Sequence, residues 1–277
     1  MEFGEILLKL CLFASRGALV WASRIRMPML SGQTRTPSRT APAQSALRFQ
    51  PCPDGVSFAL SGTPVRALAE GALWVEGAAA LIVSDLHLEK ATSLARGGCL
   101  LPPYDTRATL QQLGGLIGRL APKLVLSLGD SFHDGAGPER LDPEDRAHLL
   151  ALMAGREWVW IEGNHDHASP AALGGCAALE WELMGLVFRH EPLPGAAPEV
   201  AGHLHPCARV SGPSGSLRRR CFLTDGRRLI MPAMGALTGG LNVRDAAFAP
   251  LLDADHAALL LHRNKVFPAS RARLQPD

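Results

Sequence analysis

The chain has 277 residues, of which 47% are hydrophobic and 19% charged. A chain of this length and composition can bury a large core, which excludes a fully disordered protein and a small disulfide-stabilised one. The six cysteines form no C-x-x-C pair, which excludes a zinc ribbon and favours a reduced, cytoplasmic setting. No window reaches the roughly 18 consecutive apolar residues that a membrane-spanning helix needs.

Charge is distributed unevenly along the chain. The net charge is +2, but residues 1–50 hold seven basic residues and two acidic ones, so the rest of the chain carries three net negative charges. This argues against a surface coated with charge for binding nucleic acid, and any such binding must come from local basic patches.

Residues 1–53 are predicted to form a disordered basic extension ahead of a single domain over residues 54–277. Residues 27–50 are rich in Ser, Thr, Pro and Arg and offer little to bury, whereas residues 6–22 fit a short amphipathic helix. Glu2 and Glu5 stand where a secretory signal would be positively charged. Residues 1–53 are therefore interpreted either as a transit peptide or as a dispensable extension that precedes the true start of the protein.

The domain alternates short apolar runs with turn signals, and the first half also contains helical patterns. Eight strands are predicted, at residues 79–83, 123–128, 158–161, 185–188, 199–201, 221–223, 228–231 and 258–261. Helices are predicted at residues 106–120 and 143–154, the second with Asp142 as its N-cap. This pattern predicts an α/β fold with mixed or stacked sheets covered by helices.

Seven of the ten histidines fall in five short clusters, and each cluster follows a predicted strand. The clusters are S-D-L-H at 84–87, G-D-S-F-H-D at 129–134, G-N-H-D-H at 163–167, R-H-E at 189–191 and G-H-L-H at 202–205. Side chains at the carboxyl ends of strands project into a shared crevice, so this arrangement predicts a metal site. A helix cap, a packed histidine or a turn would explain any one cluster, but not all five together.

These clusters, in this order, resemble the calcineurin-like metallophosphoesterases over about residues 80–206. The resemblance implies a four-layer α/β/β/α sandwich with two mixed sheets inside and helices outside. L-H-L-E-K at 86–90, L-P-P-Y-D-T at 101–106 and P-A-M-G-A-L-T-G-G at 232–240 are further similar to the ligase-associated DNA-damage-response endonucleases of PdeM type. That family implies functional association with an ATP-dependent DNA ligase and a DEXH-box helicase, with DNA as the substrate.

The resemblance also implies two divalent metal ions, with Mn²⁺ favoured and Fe or Zn compatible with the ligands. Asp130 would bridge the two ions. The other implied ligands are Asp85, His87 and His205 for the first ion, and Asn164, His190 and His203 for the second. Such a pair of ions activates water as a hydroxide for attack on phosphorus, which predicts hydrolysis of phosphodiesters.

His165 is the predicted general acid for the leaving oxygen, and Asp166 is predicted to orient it. In the family this motif is often G-D-x-x-D. In this chain His133 stands at the position of the second aspartate, and Asp134 follows one residue later. His133 and Asp134 are both expected to lie behind the metal ligands.

Five residues are candidates for contact with substrate. They are Arg96, Tyr104, Arg218, Arg219 and Arg220, with Glu89 and Lys90 weighed beside them as contacts or as ordinary surface. The arginine run fits phosphate contacts, although a solvated strand edge is the simpler interpretation. Two alternative functions fit the same sequence: a phosphatase or phosphodiesterase on a nucleotide, lipid or other small phosphoester, and a scaffold that lacks catalysis. The oligomeric state stays open.

Overall fold

The computed structural model describes residues 47–165, 170–195, 198–212 and 215–277. Eight strands form the first sheet, and their spatial order follows their order in the chain. They are β1 (Gln50–Cys52), β2 (Gly55–Leu60), β3 (Thr63–Leu68), β4 (Leu73–Val75), β5 (Ala80–Val83), β6 (Leu124–Leu128), β7 (Glu157–Ile161) and β8 (Cys176–Ala178).

The first sheet changes from antiparallel to parallel at β5. Strands β1 to β5 pair as an antiparallel meander, and β5 to β8 pair in parallel. Every residue of β5 and β6 is buried, as expected for parallel strands covered on both faces. The carboxyl ends of β5, β6 and β7 therefore meet at one edge.

Helices cover the outer face of the first sheet. They are α1 (Lys90–Arg96), α2 (Asp105–Leu120), α3 (Gly137–Arg140) and α4 (Pro143–Met153). Along α2 the buried residues Leu110, Leu113 and Ile117 recur at helical spacing and pack against the sheet. The Asp142 side chain accepts a hydrogen bond from the backbone N–H of Glu144, so the predicted N-cap of α4 is present.

The second sheet has the order β16-β15-β13-β14-β11-β10-β9, and β12 pairs with β13 outside this path. Its strands are β9 (Glu180–Leu183), β10 (Leu186–Arg189), β11 (Glu199–Ala201), β12 (Cys207–Gly212), β13 (Gly215–Thr224), β14 (Arg228–Ile230), β15 (Ala257–His262) and β16 (Lys265–Ser270). The long strand β13 pairs with β12 through its first half and with β14 and β15 through its second.

The two sheets pack face to face around one apolar core. Phe58 and Leu126 of the first sheet share this core with Phe188 and Phe222 of the second. A second cluster lies beneath the helices, and a third lies on the outer face of the second sheet. There Phe248, from a 3₁₀ turn at Ala246–Phe248, shares the cluster with Val243 and Leu251 of the same loop and with Leu274.

The predicted fold class is confirmed, and all eight predicted strands and both predicted helices are present. Eight strands of the described residues were missed, namely the four before residue 79 and β8, β9, β12 and β16. Among these, β2 carries the strand signal, because Val56, Phe58 and Leu60 alternate inward. The predicted boundary at residue 54 falls inside the β1–β2 hairpin, and residues 1–46 lie outside the described part. Among the described residues no helix is long and apolar enough to cross a membrane.

Candidate metal centre

The predicted ligands lie at the carboxyl ends of five strands, drawn from both sheets. Asp85 and His87 follow β5, and Asp130 follows β6. The remaining four are Asn164 after β7, His190 after β10, and His203 and His205 after β11. Because both sheets present these ends at the same side of the sandwich, the side chains converge.

Asp85, His87 and His205 form one cluster whose ligand atoms all lie within 4.8 Å of one another. Nε2 of His205 is 3.1 Å from Oδ1 of Asp85 and 3.4 Å from Nε2 of His87. One carboxylate and two imidazoles directed at a common point are a ligand set suited to a divalent transition metal.

Asp130, His190 and His203 form a second cluster on the same criterion, and Asn164 lies within it. Oδ1 of Asn164 is 2.9 Å from Nε2 of His190 and 3.0 Å from Nδ1 of His203. These two imidazole nitrogens are 3.2 Å apart. The convergence of an amide oxygen and two ring nitrogens fits the shell of a second cation.

Asp130 lies between the two clusters. Its Oδ2 is 3.8 Å from Nε2 of His87, whereas its Oδ1 is 3.4 Å from Nε2 of His190. Each carboxylate oxygen thus faces a different cluster, which is the disposition that a bridging ligand requires.

The protonation states also suit metal ligands. Burial lowers the pKa of His87 to about 3 and lowers the pKa of His203, so both imidazoles are neutral at pH 7. Burial alone would raise the pKa of Asp85, but the hydrogen bond to His205 and the charges of His205 and His190 lower it overall. Nδ1 of His190 lies 2.8 Å from the carbonyl of Leu128, to which it donates when protonated, and this leaves Nε2 free for a ligand.

Five of the seven predicted ligands have left-handed backbone. The positive-φ ligands are Asp85 (52°), His87 (43°), Asp130 (47°), His203 (69°) and His205 (44°). Such conformations cost about 1–3 kcal/mol each and persist only where the surroundings determine them. These five backbone conformations therefore lower the stability of the fold, and they direct the ligand side chains inward.

Glycines beside the ligands allow the close packing of the centre. A Cβ on Gly202 would lie 1.9 Å from Oγ of Ser84 and 2.5 Å from Oδ2 of Asp85. A Cβ on Gly163 would lie 2.2 Å from the backbone nitrogen of Asp130. Side chains at these two positions would displace ligands.

His165 lies beside both clusters. Its backbone N–H donates to Oδ1 of Asp130 at 2.9 Å, and its ring packs edge-on against that of His87 with centroids 5.3 Å apart. Nδ1 of His165 is 3.0 Å from the carbonyl oxygen of His133, and the two rings stack. That contact orients the His165 ring, a role that the sequence assigned to Asp166, which lies outside the described residues.

Asp134, expected behind the ligands, forms an ion pair with Arg140 at 2.7 Å. The hydrogen bond from Arg140 holds the pKa of Asp134 well below its usual range. Arg140 also lies 3.3 Å from Oγ1 of Thr92, so the pair joins α3 to α1. The contacts of Asp134 are therefore structural.

The predicted substrate contacts are spread over the surface. Arg96 is exposed at the end of α1, and Tyr104, 67% exposed, directly precedes α2. Arg218 pairs with Asp277, whereas Arg219 donates to Nδ1 of His262.

Arg220 is turned inward. Its guanidinium donates to the carbonyl oxygens of Ala233, Gly235 and Thr238 at 2.9–3.1 Å. Of the run at 218–220, Arg220 therefore organises the loop beside the centre and is not a surface cation.

The sequence patterns assigned no role to two residues, Ser84 and Arg209. Ser84 donates to Oδ2 of Asp85 at 2.5 Å. Arg209 shares the carboxylate of Asp277 with Arg218. Glu89, weighed as a substrate contact or as ordinary surface, is buried and accepts from the hydroxyls of Thr92 and Thr106. The serine directly before the first ligand was the only local signal among them.

Comparison with known proteins gives a family and a structural relative. The family model described as calcineurin-like phosphoesterase matches residues 79–226, which contain every predicted ligand. The crystal structure of the Pseudomonas putida nuclease MPE is similar with a TM-score of 0.61 and 29% identity, over 80% of this chain and 100% of that one.

The phosphoesterase YfcE from E. coli is more distant. It has a TM-score of 0.35 and 18% identity, over 70% of this chain and 98% of that one. No curated protein matches this chain.

Proposed function

This chain belongs to the calcineurin-like phosphoesterase family and is a hydrolase of phosphoester bonds, and we propose that it hydrolyses phosphodiesters of DNA at a dinuclear metal centre. The observation that carries the proposal is the position of Asp130, whose two carboxylate oxygens face the two ligand clusters. A bridging carboxylate between two cations is the arrangement used for in-line displacement at phosphorus.

Each cluster would hold one cation. Asp85, His87 and His205 would hold the first, while Asn164, His190 and His203 would hold the second, with Asp130 shared. Two divalent cations bound there would neutralise phosphate charge and lower the pKa of water for attack at neutral pH.

His165 supplies the proton for the leaving oxygen in this proposal. The contact of Nδ1 with the His133 carbonyl keeps one proton on Nδ1, so the doubly protonated ring donates its other proton from Nε2 to the leaving oxygen and is left as the neutral Nδ1–H form. The hydrogen bond from the His165 backbone to Asp130 keeps this loop beside the centre. Asp166 remains a proposed partner.

The DNA substrate rests on the likeness to a protein named as a nuclease. One observation favours the second candidate, a small phosphoester: Arg219 and Arg220 of the basic run are engaged by His262 and by backbone carbonyls of this chain. We also propose Mn²⁺ as the metal, a cytoplasmic location, and functional association with a DNA ligase and a helicase. The described cysteines Cys52, Cys99, Cys207 and Cys221 form no disulfide, which accords with a reducing compartment.

The test is metal analysis of the purified full-length protein combined with three assays. Bis-p-nitrophenyl phosphate, p-nitrophenyl phosphate, and single-stranded, nicked and flapped DNA would be offered with Mn²⁺. We expect two metal ions per chain, preference for the diester, and cleavage of DNA. Hydrolysis of small esters with intact DNA would favour the second candidate, and no hydrolysis with two bound metals would favour a scaffold.

A further inference from the structure

Two arginines on neighbouring strands face each other across the β12–β13 hairpin. Arg209 of β12 is directly opposite Arg218 of β13 in the strand register. Like charges in this position are destabilising, yet here both guanidinium groups bind the same carboxylate. Nε of Arg218 is 2.9 Å from Oδ1 of Asp277, and Nε of Arg209 is 3.3 Å from the same atom.

We propose that Arg209 and Arg218 form an anion clamp that binds one phosphate of a DNA strand, and that the Asp277 carboxylate occupies the position of that phosphate. The inference rests on the proposed function and deepens it, because it gives the DNA strand a contact away from the metal centre. DNA phosphate and Asp277 then compete for the clamp.

Contacts within the protein hold both arginines of the clamp in position before an oxyanion binds. Nη2 of Arg218 donates to the carbonyl of Gly240 at 2.8 Å, and Nη1 of Arg209 donates to Oγ of Ser216 at 3.4 Å. Both guanidinium groups are therefore held in place before binding, which reduces the entropy lost on binding. Their side chains are 36% and 34% exposed, so a phosphate reaches them without burial of charge.

The clamp is also connected to the metal centre. Arg209 follows the ligand His205 by four residues, which span at most about 13 Å of extended chain. Gly240, which accepts from Arg218, packs so closely on His205 that a Cβ there would lie 2.2 Å from the His205 carbonyl oxygen. The clamp and the metal centre are therefore held on adjoining segments, and a DNA strand bound at the centre would place a neighbouring phosphate at the clamp.

The segment that carries Asp277 has attachments that do not use its carboxylate. The backbone N–H of Gln275 donates to the carbonyl of Arg209 at 2.9 Å, and its own carbonyl accepts at 3.1 Å from the Asn242 side chain, which also hydrogen-bonds the Asp277 carboxylate. Oγ of Ser211 donates to Oε1 of Gln275 at 2.7 Å. The charge of Asp277 can therefore be removed while these bonds keep the segment in place.

The first experiment is Asp277→Asn in the full-length protein, with Asp255→Asn as an exposed control of equal charge. Binding of a single-stranded oligonucleotide would be measured at several salt concentrations. Loss of a competing exposed ion pair should tighten binding by the Asp277 variant about two- to fivefold relative to the control. A lower melting temperature with unchanged DNA affinity would show a purely structural ion pair and overturn the proposal.

The second experiment locates the phosphate. Oligonucleotides in which one phosphate is replaced by a neutral methylphosphonate would be tested against the parent protein and Arg209→Ala, with Arg263→Ala as the control for loss of one arginine. Arg209→Ala should weaken binding about tenfold and reduce the log–log salt slope by about 0.7. One methylphosphonate position should weaken binding by the parent protein but not further weaken binding by Arg209→Ala.

Failure of the clamp and failure of the proposed function give different results. If the parent protein binds and cuts DNA and Arg209→Ala matches Arg263→Ala, the clamp alone is overturned. If the parent protein hydrolyses bis-p-nitrophenyl phosphate but binds no DNA, both the DNA substrate and the clamp are overturned.

Discussion

The backbone N–H of His165 donates a hydrogen bond to Oδ1 of Asp130 at a distance of 2.9 Å. The residue proposed as general acid is thus tied to the residue proposed as bridging ligand, although 35 positions separate them in the chain. The same carboxylate oxygen faces Nε2 of His190 in the second cluster. Changes at Asp130 and at His165 should therefore have separable effects on metal content and on proton transfer.

Asp130→Asn should lower metal content below two ions per chain and reduce phosphodiester turnover by at least about a hundredfold. The amide keeps an acceptor for the His165 N–H but loses the charge that holds two cations together, and a change behind the ligands already costs about 10–100-fold. Elemental analysis and hydrolysis of bis-p-nitrophenyl phosphate measure both effects. Normal turnover with two bound metals would contradict the bridging role.

His165→Ala should keep both metals but lose about 10²–10⁴ in turnover, the usual contribution of a general acid or base. The loss should be smaller for diesters whose leaving groups need little protonation. His256→Ala, a histidine that contacts the carbonyl of Asp253, is the control and should leave turnover unchanged. An equal loss on good and poor leaving groups would argue against proton donation by His165.

Gly202→Ala should destabilise the domain by about 1–3 kcal/mol and weaken metal binding, because its Cβ overlaps Ser84 and Asp85. Gly118→Ala is the matched control, since a Cβ at this exposed position on α2 meets nothing within 4 Å. The control should raise stability by up to about 1 kcal/mol through helix propensity. Urea denaturation of the two variants measures both, and equal stability would contradict the tight packing described around Asp85.

Asp134→Asn should cost about 1 kcal/mol at pH 7, because Asp134 loses its ion pair with Arg140. The folded pKa of Asp134 lies below its unfolded value of about 3.9. Its stabilisation is therefore complete above pH 4 and is lost as the pH falls through the folded pKa. Urea denaturation at pH 7 and at successively lower pH measures the difference in free energy of unfolding between the variant and the parent protein. This difference should become smaller as the pH falls. A difference that stays constant with pH would show that the charge of Asp134 is not the cause of the destabilisation.

The sequence by itself determined the fold class and the order of the ligand clusters. Short apolar runs predict the strands, and the ligand residues follow these runs. Both features are local in the sequence: the run that ends at Val83 is recognised from neighbouring residues, and Asp85 and His87 follow it within four residues. The rule that strand ends share an edge then places distant clusters together. Family membership was predictable from the same clusters, and the family match confirms it.

Only the tertiary structure decided which side chains remain available to a substrate. Arg218 and Arg220 belong to one basic run, yet Arg218 meets Asp277 at the surface whereas Arg220 binds the carbonyls of the loop at 233–238. Likewise Glu89 is buried against Thr106, although its charge suggested a surface position. These partners lie between 13 and 59 residues away in the chain. Pairings over such distances depend on strand register and loop packing, which local sequence patterns do not encode.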